Sequence, residues 1–155
     1  MNEPFELPPI RVPERALAWA RAHPSFFFPD GVVSSESLVK QLIAGARALA
    51  AQAVEARAID GWFVVAAPTD WYASARFPIP EDFNFHELTP FPELGQNCVR
   101  PECIVAAFAD EIVVRGPAGT HVVKGSATAG DPILVQLSES PVWQRAIAFQ
   151  GMASA

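Results

Sequence analysis

Leu38, Leu42, Ala46, Leu49 and Ala53 recur at steps of three and four residues, and Val39, Ile43, Ala50 and Val54 widen the same stripe. At about 100° per residue these positions share one side of a helical cylinder. Lys40, Gln41, Arg47, Gln52 and Glu55 fall on the other side, with Ala44, Ala48 and Ala51 as strong helix formers between them. Ser34 or Ser35 supplies a capping hydroxyl, and Asp60-Gly61 reads as the stop. The spacing therefore predicts one amphipathic helix over Ser35–Ile59, roughly 37 Å long at about 1.5 Å per residue. An apolar stripe of that length needs a sheet or a second helix layer to cover it.

The rest of the chain offers strands. Trp62–Ala67 is aromatic and β-branched, is bounded by Gly61 and Pro68, and is apolar on both faces, which predicts an interior strand. Glu111–Arg115 and Thr120–Lys124 flank Gly116-Pro117-Ala118-Gly119, the pattern of a hairpin with a four-residue loop. Ile133–Leu137 follows a Gly-Asp-Pro turn and reads as another strand. Cys103–Ala109 fits a strand or a helix in so short an apolar run, with strand the preferred reading. Pro13–Ala22 and the stretch from Ser140-Pro141 to Phe149 are read as short terminal helices, each with proline in its first turn. Residues 1–12, with Pro4, Pro8 and Pro9, are read as an extended arm. The expected fold class is α+β: one long amphipathic helix on a mainly antiparallel sheet of four to five strands, in a single domain.

Residues 68–101 resist assignment. They hold Pro68, Pro78, Pro80, Pro90, Pro92 and Pro101 together with Trp71, Tyr72, Phe77, Phe83, Phe85 and Phe91. So many aromatic residues imply an ordered loop, either a lid on the core or an exposed contact face. Thr69-Asp70 suits the start of a short helical turn. In Ser25-Phe26-Phe27-Phe28, three adjacent rings cannot all face one way, so at least one is expected in the core.

Charge narrows the partners. Lys and Arg number 11 against 17 Asp and Glu, a formal net charge of -6, which repels phosphate backbones and favours a basic protein partner. The apolar runs are too short to span a bilayer, and the first residues lack a secretory pattern, so a cytoplasmic location is expected. Chemistry is sparse. His23 precedes Pro24 and suits a helix C-terminus, His121 lies on a strand, and His86 alone has acidic neighbours in sequence. Cys98-x4-Cys103 has the reach of half a zinc site but no second cysteine pair to complete it. The glycines around 116–130 lack the Gly-Lys-Ser/Thr ending of a phosphate loop. No metal, cofactor or catalytic residue is expected.

In size, charge and inferred architecture the chain resembles small acidic bacterial proteins that act on a protein partner, such as toxin immunity proteins. The resemblance implies a non-enzymatic protein-binding module. The expected contact surface is Asp70, Trp71, Tyr72, Asp82, Phe85, His86 and Glu87, because aromatic and acidic groups anchor such interfaces. Two alternatives stand beside it: a small-molecule-binding domain or minor enzyme with a pocket under residues 68–101 near His86 and Cys98 or Cys103, and a structural homodimer pairing through a strand edge or helix face.

Overall fold

The computed structural model describes residues 12–49, 51–74, 83–96 and 98–152. The expected N-terminal arm, apart from its last residue, and Asp82 lie outside them. In chain order the elements are α1 (Val12–Ala22), α2 (Pro24–Phe27), α3 (Ser35–Ala48), β1 (Glu55–Ile59), β2 (Trp62–Ala67), a 3-10 turn (Trp71–Ser74), α4 (Phe83–His86), α5 (Pro101–Phe108), β3 (Glu111–Gly116), β4 (Gly119–Lys124), α6 (Pro132–Glu139) and β5 (Arg145–Gln150). The strands form one five-stranded sheet in the order β1-β2-β5-β3-β4, with every neighbouring pair antiparallel. The α+β class, the antiparallel sheet and the interior position of Trp62–Ala67 agree with the sequence reading.

α3 starts where the sequence places it. The Ser34 hydroxyl accepts from the Ser37 amide while Ser37 Oγ accepts from the Ser34 amide, a reciprocal cap. The helix stops at Ala48, and the second half of the predicted rod is not helical. Ala53 takes a left-handed φ of 53°, and residues 55–59 form the edge strand β1. Asp60-Gly61, read as a helix stop, is instead a hairpin turn: Ile59 pairs with Trp62, and the two central residues have φ of 49° and 85°. Left-handed backbone at both positions matches the right-handed twist of the flanking strands.

Three further readings are corrected. Residues 101–108 form a helix, because Pro101 opens it at N1 and Glu102 sits in its first turn. Residues 132–139 form α6 and not a strand, again with proline at N1. Residues 145–150 form β5 and not a helix, so the short C-terminal helix lies one segment earlier than expected. The β3–β4 hairpin is present, but Gly116 pairs with Gly119, leaving a loop of two residues, Pro117 and Ala118.

The sheet carries helices on both faces. On one face Val65, Ala67, Ile112, Val114, Ile147 and Phe149 join Leu38, Leu42 and Leu49 of the α3 segment and most of α5. On the other, Val64, Ala66, Val113, Ala146 and Ala148 meet Ile133, Leu134 and Leu137 of α6, closed by Trp143. Each buried leucine contributes about 1.5–3 kcal/mol to this arrangement. The central helix is α5, every residue of which is buried. α3 crosses it closely, since a β-carbon on Gly45 would stand 2.8 Å from Pro101 Cγ.

Candidate functional site

A buried helix leaves carbonyls at its C-terminus that need partners. Lys124 Nζ donates to Ala106 O at 2.8 Å and Ala109 O at 2.6 Å, and Arg21 Nε donates to Ala107 O. Desolvation lowers the Lys124 pKa, the nearby Arg21 lowers it further, and Asp110 opposes the fall. On the other face of the sheet, Arg115 Nη1 donates to Leu137 O and Ser140 O at the end of α6. The β3–β4 hairpin thus sends one cation to each helix layer. Three cations, each partly buried, are thus spent on backbone carbonyls.

Two more cations lie inside a polar corner around Tyr72. Arg100 and Glu102 pair at 2.7 Å with side chains only 4% and 2% exposed. Arg145, 2% exposed, pairs with Asp70 at 2.9 Å. The Arg145 guanidinium lies 4.0 Å from the Tyr72 ring centre, and that of Arg100 lies 4.9 Å from the same ring and 5.0 Å from Phe91. The Tyr72 hydroxyl is buried beside the Glu102 carboxylate without a well-formed hydrogen bond. Burial, then the Glu102 charge, holds its pKa well above 10.

This corner absorbs part of the expected contact surface. Asp70, Trp71 and Tyr72 come together there, with Asp70 ion-paired and Trp71 buried in the core. Phe85 is fully buried, whereas His86 and Glu87 remain partly exposed. Phe85, Phe91 and Trp71 all join the main core cluster, so this part of the 68–101 segment packs as a lid.

An exposed aromatic cluster stands elsewhere, at the α1–α2 junction. His23 Nδ1 lies 2.8 Å from Trp19 O, the helix-end role expected for it, and its ring stacks on Trp19 at 4.5 Å. Phe26 meets Trp19 edge-on at 5.1 Å and Phe27 at 5.1 Å. Phe28 plugs the core against Phe108, as one ring of the triplet must, while Phe26 stays 64% exposed. Beside Phe26 opens a cavity of about 230 Å³ lined mainly by Phe27, Ala44, Leu94, Cys98, Pro101 and Ile104. The 68–101 segment near Cys98, where sequence reasoning set the alternative of a pocket, lines one side of this cavity; the exposed rings on the other side are the part it passed over. Its signal was the Phe26-Phe27-Phe28 triplet on a four-residue helix, which cannot turn every ring inward.

The cysteines differ. Cys98 is half-buried at the cavity, and Cys103 is buried in α5. Burial, reinforced by Glu87 and Glu102, pushes the Cys103 thiol from 9.0 up to about 12, so it stays protonated and unreactive. Among the described residues, no three His, Cys, Asp or Glu side chains gather to hold a metal ion. No helix among them is long and apolar enough to cross a membrane. Compared with known protein families, curated proteins and solved structures, the chain matches none.

The Cys103 shift sets a pH dependence. Its folded pKa is raised, so the protonated thiol's contribution to stability is full below pH 9 and is lost progressively as pH rises toward 12. Tyr72, raised from 10, acts in the same direction above pH 10. Between pH 9.5 and 10.5 the wild type is expected to lose roughly 1 kcal/mol more stability than Cys103→Ala. Urea unfolding at the two pH values checks this; equal losses would refute it.

Proposed function

We propose that this chain is a non-enzymatic protein-binding module that engages a basic partner through the aromatic cluster at the α1–α2 junction. The observation that carries the reading is one apolar cavity lined by Phe26, 64% exposed, and Leu94, 44% exposed, with Trp19, 38% exposed, set edge-on against Phe26. Large exposed rings clustered at a concavity are the composition of interface hot spots, and scattered surface hydrophobes are not. The cavity's 230 Å³ is smaller than the ~300–1,000 Å³ usual for small-molecule sites. It suits one apolar side chain of a partner. Gln41, its polar lining residue, already donates to Phe27 O at 3.0 Å, which leaves little to orient a polar ligand.

The net charge of -6, with cations drawn to carbonyls and buried carboxylates, supports a partner of opposite sign and disfavours nucleic acid. Of the contact residues expected from sequence, Glu87 and His86 stay partly exposed. Neutralisation of a basic toxin is the sharpest form of this reading.

The test is capture of a stoichiometric partner from a native-like lysate, followed by calorimetry with the purified pair. Phe26→Ser with Trp19→Ser is expected to weaken binding by at least about 30-fold, the scale of a hot-spot loss. Raised salt is expected to slow association. Failure to recover a partner, or unchanged affinity in the double variant, overturns the reading.

A further inference from the structure

The two edges of the sheet are built differently. β4 carries a register shift opposite Ile112/Val113 and turns Lys124 inward to α5. A bulge and an inward charge both discourage pairing with another strand. β1 has neither: its five residues pair with β2 in unbroken register, and Ala56, Arg57 and Ala58 are all exposed. Arg57 alone would act as a charge that repels a second copy. It is accompanied by Glu55, two residues away on the same face, the two joined at 3.2 Å with Arg57 59% and Glu55 37% exposed.

We propose that β1 pairs antiparallel with β1 of a second copy of this chain, with Ala56 on the two-fold axis. In that register Ala56 faces Ala56, Glu55 of each copy faces Arg57 of the other, and Val54 faces Ala58. Residues directly opposite in an antiparallel pair lie on the same face, so two reciprocal ion pairs form across the axis. Centring the axis on Arg57 would set the two guanidinium groups against each other, so charge selects the register. On the opposite face the side chains that meet the neighbour, Val54, Ala56 and Ala58, are small and uncharged. The result is a continuous ten-stranded sheet with an isologous interface. Trp143 holds both groups on one face of the strand: the Arg57 guanidinium lies 5.4 Å from its ring, and its Nε1–H donates to Glu55 Oε1.

The interface is self-complementary, which gives it a stringent test by sedimentation equilibrium over a concentration series. The wild type is expected to dimerise reversibly. Arg57→Glu and Glu55→Arg are each expected to weaken self-association by at least about tenfold, because each sets like charges opposite one another twice. An equimolar mixture of the two variants is expected to recover a dimer, since each then supplies the charge the other lacks. The double swap Glu55→Arg/Arg57→Glu is expected to recover it as well. Circular dichroism confirms the fold of each variant. A wild type that stays monomeric throughout, reversals that leave association unchanged, or a mixture that fails to associate would each overturn the proposal. Phe26→Ser leaves β1 untouched, so failure of this inference is distinct from failure of the partner reading.

Discussion

Replacing Arg100 by Met is expected to destabilise the protein by about 3–5 kcal/mol, the cost of stranding one half of a buried ion pair. Glu102 is 2% exposed and receives two hydrogen bonds from the Arg100 guanidinium, at 3.1 Å and 2.7 Å. Without that cation its carboxylate is left in a dry interior, next to the buried Tyr72 ring and hydroxyl. The position of Glu102 in the first turn of α5 offsets a part of the loss only, since a helix terminus contributes about 0.3–1 kcal/mol. Removing both charges is a different experiment. Arg100→Met with Glu102→Leu leaves no unpaired ion and keeps similar volume, so it is expected to cost markedly less than Arg100→Met alone. Urea unfolding of the two single variants and the double variant measures the coupling. A double variant as unstable as the sum of the singles would show that the pair acts through packing and not through charge. Against a typical stability of about 5–15 kcal/mol, the single change approaches the limit of what the fold tolerates.

The fate of the polar corner shows what the sequence made legible. Asp70, Trp71 and Tyr72 carry the residue types of a surface contact, and nothing within ten residues says otherwise. The cation that draws Asp70 inward, Arg145, is 75 residues away in sequence. Long-range pairing of this kind has no local periodicity to betray it. The same limit explains α6 and β5. Each is a run of six to eight mostly apolar residues, too short for a period of 3.6 to be told from a buried strand. Pro132 suits a turn after Gly130-Asp131, but proline at N1 is also a helix start. By contrast, the start of α3 was legible because its cap and its apolar spacing are both local, and β2 because its β-branched run is bounded by Gly61 and Pro68. The end of α3 is obscured in the sequence because alanine-rich residues carry the helical pattern past Leu49, and Asp60-Gly61 serves equally as a helix stop and as a strong hairpin signal.

Two phenylalanines separate stability from recognition. Phe149→Ala is expected to cost about 3–5 kcal/mol, the range for deleting a buried ring. Phe149 is fully buried on the central strand β5, pairs in register with both Phe63 and Ile112, and stacks on Phe63 at 5.6 Å. Its removal opens a void where β2, β5 and β3 meet the α3 and α5 layer, and it forfeits an aromatic pair worth about 0.5–1.5 kcal/mol beyond area. Phe26→Ala removes the same ring from a site 64% exposed and is expected to change stability by no more than about 0.5 kcal/mol. Denaturant titration of the two variants side by side, each also assayed for partner binding, tests both halves. Phe149→Ala loses binding only in step with its folded fraction, whereas Phe26→Ala loses binding while fully folded. If Phe26→Ala unfolds the chain as readily as Phe149→Ala, that ring is a structural support, and the α1–α2 junction is not a free recognition surface.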